Sequence, residues 1–84
     1  MEKSIYTKEY SLFLELLRNT REERGLTQID VAQRLGQTQS FVSKVERGER
    51  RIDIVELRAF CSAIGVNFLT FVNKLEHTFE FHDE

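Results

Sequence analysis

The fold is decided by residues 27–48, TQIDVAQRLGQTQSFVSKVERG. Their apolar positions return at helical spacing on both sides of a central glycine, which predicts two short helices joined by a tight turn. Thr27 and Thr38 precede the two patterns, where a hydroxyl can accept a backbone N–H at a helix start. We therefore expect one helix over residues 28–35 and the next over about 39–47.

The contact between these two helices has the residues that a helix-turn-helix needs. Ala32 is small, so the following helix can approach closely, and Gly36 stands at a position that favours positive φ. Apolar contacts between the helices are expected from Val31, Leu35, Val42 and Val45. This arrangement is typical of a motif whose second helix reads double-stranded DNA.

The opposite face of that second helix is polar and carries no carboxylate. It combines an amide, two hydroxyls and two cations: Gln39, Ser40, Ser43, Lys44 and Arg47. A glutamine amide can bond adenine twice, and a lysine can reach guanine or a phosphate. The alternative is an ordinary amphipathic helix with a solvated face. The acid-free face beside Ala32 and Gly36 favours DNA binding.

Helical patterns continue on both sides of this pair and bring the total to five. A glycine follows each of the first four. We expect a first helix over residues 8–24, a fourth from Asp53 to Ile64 and a fifth over Phe68–Leu75. The inward face of the fourth should consist of Ile54, Leu57, Phe60, Cys61 and Ile64. The predicted fold class is all-α, with five helices and the helix-turn-helix at helices two and three.

The C-terminal end is different in character. Phe79 and Phe81 alternate with polar residues, which predicts a strand or an extended tail. We expect a single domain over residues 1–84, with its core at about 8–75 and a tail at 76–84.

Composition limits the class of protein. The chain has 84 residues, 40% of them hydrophobic, and no proline. It shows no signal peptide and no apolar run of membrane length, so we expect a soluble, cytoplasmic protein with no membrane partner. The single Cys61 cannot form an internal disulfide and fits a reducing compartment.

The distribution of charge gives weaker support for a nucleic-acid partner. The net charge is −2, but residues 18–51 carry eight arginines and lysines against five acids, whereas residues 52–84 carry two bases against six acids. The basic third contains the helix-turn-helix, as expected of a nucleic-acid partner.

An enzyme has little support in the sequence. No nucleophile–base pair, phosphate loop or metal-ligand cluster is evident, so we predict no catalysis, no cofactor and no metal. His77 and His82 lack a nearby cysteine, and Cys61 is expected to be a buried small hydrophobe.

The sequence is similar to the Cro/C1-type (XRE-like) helix-turn-helix family of phage repressors and bacterial transcriptional regulators. The similarity covers about residues 13–72 and depends on RGLTQ (24–28), LGQTQSFVSKVERG (35–48) and AIGV (63–66). It implies a five-helix, lambda-repressor-like domain that acts as a dimer on a near-palindromic operator. It also implies a buried ion pair between Arg21 and Glu46. Thr20 departs from the family, which usually has Leu or Ile there.

The resemblance also implies roles at the DNA. The residue matching Gln28 bonds the DNA backbone, and those matching Gln39, Ser40 and Lys44 approach base edges. Those matching Ser43 and Arg47 contact bases or phosphates, depending on the family member. We add Thr38, at the start of the reading helix, and Arg50, in the loop that follows it.

Two functions remain open. The first is a sequence-specific transcriptional regulator that forms a homodimer through Leu69, Val72, Phe79 and Phe81. The second is an antitoxin-like interaction module whose tail binds a partner protein, with DNA binding autoregulatory. A tail folded over its own core would instead leave a monomer.

Overall fold

The computed structural model describes residues 7–82. This range contains five α-helices, with bounds α1 Lys8–Glu23, α2 Gln28–Leu35, α3 Gln39–Glu46, α4 Ile54–Ile64 and α5 Phe68–His82. The predicted all-α, five-helix class is confirmed.

Each helix begins at a polar side chain that accepts a backbone N–H: Thr7, Thr27, Thr38, Asp53 and Asn67. The caps of α2 and α4 are full capping boxes, in which Asp30 and Glu56 bond back to the cap residue. Because these caps are local in sequence, the starts of α2 to α5 fall where the sequence predicts them.

The predicted extended tail is wrong. The fifth helix does not end at Leu75 but continues to His82 as part of α5. Phe79 is half-buried because it lies four residues beyond Leu75, on the helical face that packs on the core. Phe81 is 79% exposed. A short alternation of two aromatics therefore reflects one inward and one outward position on a helix. Residues 83–84 lie outside the described residues.

The core lies where all five helices meet. α3 packs against α1 and α2, α5 packs against α1 and α4, and α2 packs against α4. The most deeply buried large side chains are Leu17, Val31, Val42, Val45, Phe60 and Cys61. Burial raises the pKa of the Cys61 thiol to about 11, so the thiol stays protonated at neutral pH.

One predicted core residue is not in the core. Ile54 is 68% exposed, as is its neighbour Val55 at 74%. Ile54 is the first residue of α4 and stands at the edge of the apolar stripe, whereas Leu57 and Ile64 further along are buried. No single helix within residues 7–82 is long and apolar enough to cross a membrane, although α4 and the α5 segment to Phe81, bent by 110°, pass that test as a pair.

A buried ion pair joins α1 to α3. Arg21 Nε lies 2.6 Å from Glu46 Oε2, and Arg21 Nη2 lies 3.0 Å from Glu46 Oε1. The two side chains are 9% and 4% exposed. Arg21 Nη1 also donates to the Leu26 carbonyl oxygen at 2.8 Å, so the guanidinium holds the α1–α2 turn as well. The hydrogen bond to Glu46 raises the pKa of Arg21 above its ordinary value.

Thr20 is the residue at which the sequence departs from the family pattern. It is 8% exposed and directly precedes Arg21 on α1. Its hydroxyl donates to the Leu16 carbonyl oxygen at 2.6 Å, within α1. The polar atom is thus satisfied without a tertiary partner, which explains how a threonine is tolerated at a position that favours an aliphatic side chain.

We predict that Arg21→Ala and Glu46→Ala each lower the free energy of unfolding by about 3–5 kcal/mol, because each leaves the other charge buried without its partner. The double variant should lose much less than the sum. Urea denaturation measures all three. The control is the Arg47–Glu49 pair, which is bidentate but about half exposed. Alanine there should cost far less. Mild, additive losses at Arg21 and Glu46 would contradict the prediction.

Candidate nucleic-acid interface

The turn between α2 and α3 sets the geometry of the site. Gly36 has φ 70° and ψ 31°, a left-handed conformation that strains other residues. The Gly36 N–H bonds the carbonyl oxygens of Ala32 and Gln33, and the Gln37 N–H bonds Ala32 at 2.9 Å. The chain can therefore reverse at once, and Thr38 starts α3 by accepting the Phe41 N–H at 3.1 Å.

Burial of one face of α3 fixes which residues face outward. Val42 and Val45 are fully buried, and Glu46 is 8% exposed. The outer face is formed by the exposed residues Gln39, Ser40, Lys44 and Arg47, with Ser43 half-buried beside them. α3 has one carboxylate, on Glu46, and it faces the core. The structure thus brings the predicted α3 residues together on one face, to which α3 itself presents no carboxylate.

Two glutamines are linked to the buried ion pair. Gln28 Nε2 donates to Glu46 Oε1 at 2.9 Å, and Gln39 Nε2 donates to Gln28 Oε1 at 2.8 Å. Because a carboxylate only accepts, Gln28 must turn its NH₂ toward Glu46 and its oxygen toward Gln39. The Gln39 amide is oriented in turn, with its oxygen and its second N–H available to a ligand.

A concavity of about 390 Å³ lies where the start of α2 meets the start of α3. Its lining is formed by Arg21, Glu22, Gly25, Leu26, Thr27, Gln28, Ile29 and Gln39. Ile29 is 55% exposed there, and no apolar residue was expected on this surface. Its exposure follows from its place next to Gln28 in the first turn of α2.

The two predicted arginines are held against the protein itself. Arg47 forms a bidentate ion pair with Glu49, with N–O distances of 2.9 and 3.1 Å. Arg50 forms another with Glu56, at 3.0 and 3.1 Å, and its guanidinium lies 4.8 Å from the centre of the Phe41 ring. Neither pairing was predicted from the sequence. An acid two residues after Arg47 is the signal that could have indicated the first.

Lys44 differs from these arginines. Among residues 7–82 it takes part in no ion pair, and its side chain is exposed. Its charge is therefore available at the middle of the outer face of α3.

Within residues 7–82, no group of three or more His, Cys, Asp or Glu side chains could hold a metal ion.

A second surface lies on α5. Leu69 is 71% exposed and Val72 is 36% exposed, while Phe71 between them is buried. Phe81 follows Leu69 by twelve residues, which at about 3.6 residues per turn is a third of a turn more than three full turns. Phe81 therefore does not lie on the same side of α5 as Leu69. The four residues predicted for the dimer are thus spread over more than one side of α5.

Comparison with known proteins gives two sequence matches. The family model described as helix-turn-helix matches residues 17–71. An uncharacterized HTH-type transcriptional regulator, y4dJ of Sinorhizobium fredii (strain NBRC 101917 / NGR234), is 36% identical over 58 residues. The aligned region covers 69% of this chain and 75% of that protein.

Three solved structures are similar in fold. An XRE-family like protein from Pseudomonas syringae pv. tomato str. DC3000 is 44% identical, with a TM-score of 0.79 over 83% of this chain and 85% of its own. A point mutant of the restriction-modification controller protein C.Esp1396I is 26% identical, with a TM-score of 0.80 over 98% and 99%. The tetramer of C.Esp1396I in complex with its natural 35 base-pair operator is 24% identical, with a TM-score of 0.77 over 84% and 93%.

Proposed function

This chain belongs to the XRE-like helix-turn-helix family of DNA-binding transcriptional regulators, and we propose that it acts as a homodimer that reads a near-palindromic operator with α3 of each copy. The observation that carries the proposal is the acid-free outer face of α3, supported from behind by a buried ion pair. The protein acts by binding rather than by catalysis, in the cytoplasm, where its buried thiol stays reduced.

The chemistry of that face suits base edges. A major groove admits one α-helix, and a glutamine presents an acceptor and a donor side by side, as adenine requires. The bond from Gln39 to Gln28 leaves the Gln39 oxygen and one N–H for this purpose. Lys44, exposed and without an ion pair among the described residues, supplies a cation for guanine or a phosphate. Ser40 and Ser43 offer adaptable hydroxyls.

Contacts to the DNA backbone would flank α3 on both sides. The concavity beside the N-terminus of α2 holds Gln28, and a helix N-terminus attracts anions. Thr38 precedes α3, while Arg47 and Arg50 follow its outer face. These contacts position the helix and carry little sequence information, whereas the α3 side chains select the sequence.

The proposed dimer uses α5. Leu69 and Val72 form an exposed apolar strip on α5. A second copy of the chain, related by a two-fold axis, would cover this strip. Phe79 borders the strip, whereas Phe81 lies on another side of α5 and is not part of it. Two α3 helices about one DNA turn apart, ~34 Å, would then match a palindrome. The C.Esp1396I protein, similar in fold, was solved as a tetramer on its operator.

The alternative of an antitoxin-like module acted through a protruding tail. Residues 76–82 instead form the last turns of α5, with Phe79 half-buried, so the regulator is the function we retain. The test of the function is selection of binding sites from random duplex DNA, followed by affinity measurements over a salt series. A recovered palindrome supports the proposal, and failure to enrich any sequence contradicts it.

We predict that Lys44→Glu abolishes binding to the selected site while the fold survives. Loss of a base contact costs about 1–3 kcal/mol, and a carboxylate facing phosphates adds repulsion. Fluorescence anisotropy gives the affinity and circular dichroism the helix content. Lys74→Glu is the matched control, since Lys74 is an exposed lysine on α5. Wild-type affinity in Lys44→Glu would refute the assigned outer face.

Gln39→Ala should relax sequence preference at one or two base pairs per half-site without abolishing binding. Gln28→Ala should relax the same positions more weakly, because it frees the Gln39 amide rather than removing it. Repeating the site selection with each variant gives the preference at every position. Gln33→Ala, an exposed glutamine elsewhere on α2, is the control. An unchanged preference in Gln39→Ala would place base reading elsewhere on the protein.

Leu69→Glu should convert the wild-type dimer into a monomer at micromolar concentration, because it buries a charge in the apolar strip. Sedimentation velocity distinguishes the two states. Lys74→Glu adds a carboxylate on another side of the same helix, about 140° round from Leu69 at about 100° per residue, and should leave the dimer intact. A wild type that sediments as a monomer, both free and on DNA, rules out the proposed dimer.

A further inference from the structure

Each of the three nitrogens of the Arg47 guanidinium donates one hydrogen bond in the free protein. Its Nε and Nη2 donate to the two carboxylate oxygens of Glu49, at 2.9 and 3.1 Å, and its Nη1 donates to Ser43 Oγ. Such a fork-to-fork pairing is the one a guanidinium makes with a phosphate. Arg47 can therefore offer its Nε–Nη2 edge to a DNA phosphate only after Glu49 has left that edge.

Glu49 also adjoins Lys44, the second cation of the reading surface, which is the outer face formed by Gln39, Ser40, Ser43, Lys44 and Arg47. Its backbone N–H bonds the Lys44 carbonyl oxygen at 2.8 Å. The hydrogen bond from Arg47 holds the pKa of Glu49 below its ordinary value, and the charges of Arg47 and Lys44 act in the same direction. The Glu49 carboxylate thus forms an ion pair with Arg47, and the Glu49 backbone adjoins Lys44, on a surface to which α3 itself presents no acid.

We propose that Glu49 is a specificity-determining residue, which occupies the guanidinium of Arg47 until an operator phosphate displaces it and so weakens binding to arbitrary DNA more than binding to the operator. This inference rests on the proposed function and concerns the same surface.

The physical reason lies in the difference between the two complexes. Binding to arbitrary sequence is almost wholly electrostatic, with phosphates at a distance, so an acid on the surface subtracts from it directly. In the operator complex α3 is docked by base contacts, and a phosphate is held at a fixed position next to the fork. Because the Arg47–Glu49 pair is 54% exposed on each side, exchanging the carboxylate for that phosphate costs little.

Glu49 is the acid on which this can be tested cleanly. It lies in the connection between α3 and α4, outside any helix. Glu56, which pairs with Arg50, also accepts the Asp53 N–H at 2.9 Å in the capping box of α4. Replacing Glu56 would therefore disturb a helix start together with the charge.

The experiment compares Glu49→Gln with wild type, on the selected operator and on a random duplex of equal length, over a salt series. The variant should bind random DNA about tenfold more tightly and the operator only about two- to threefold more tightly. The steepness of the salt dependence on random DNA should rise by about one counterion. Glu15→Gln is the control, because Glu15 is an exposed acid on α1 that borders Thr78 of α5.

A double-variant comparison separates displacement from general charge. In an Arg47→Ala background, Glu49→Gln should change the operator-to-random affinity ratio by less than about twofold, because no fork remains to be occupied. An equal gain on both DNAs, or a Glu49→Gln variant that matches Glu15→Gln, overturns the inference while the operator binding of the wild type stands. A wild type that does not distinguish the two DNAs overturns the proposed function and this inference together.

Discussion

The ion pair between Arg21 and Glu46 is the interaction on which the reading surface depends. It joins the last turn of α1 to the last residue of α3, and a further bond from Arg21 holds the turn into α2. Glu46 also accepts from Gln28, which in turn accepts from Gln39. The position of the exposed Gln39 amide is therefore set, through Gln28, by the charge pair inside the protein. A buried pair of this kind adds little net stability, but it strongly disfavours arrangements that separate the charges.

The distribution of acids follows from the same constraint. α3 contains one carboxylate, and turning it inward leaves the outer face with hydroxyls, amides and cations only. The acids that balance the neighbouring arginines lie instead in the connection to α4 and in the first turn of α4. The net charge of −2 therefore does not describe the reading surface, which carries positive charge on Lys44 and exchangeable ion pairs beside it. Position decides how a charge acts on a polyanion.

The local features of this fold were predictable, because they depend on neighbours in sequence. Thr27, Thr38 and Asp53 cap helices within three residues, and Gly36 supplies the left-handed turn, so the bounds of α2 to α4 follow from the sequence. The end of α5 did not, since two alternating aromatics fit a strand and a helix equally until the core shows which one is covered. The pairing of Arg47 with Glu49 was not predictable either. It depends on side-chain rotamers in a loop, and nothing in the residue types requires it.

α5 is longer than the sequence pattern predicts. α5 packs on the core through Phe68, Phe71 and Leu75 and continues to His82. Phe79, in this continuation, is half-buried, whereas Leu69 and Val72 lie on a more exposed side of the helix. A single α3 can contact only a few base pairs, too few to distinguish one site among many. An apolar strip on α5, remote in sequence from α3, would let a second copy add its own α3 without altering the first. The outer face of α3 and the apolar strip of α5 are thus separate surfaces, and the buried Arg21–Glu46 pair fixes α3 on the core to which both helices belong.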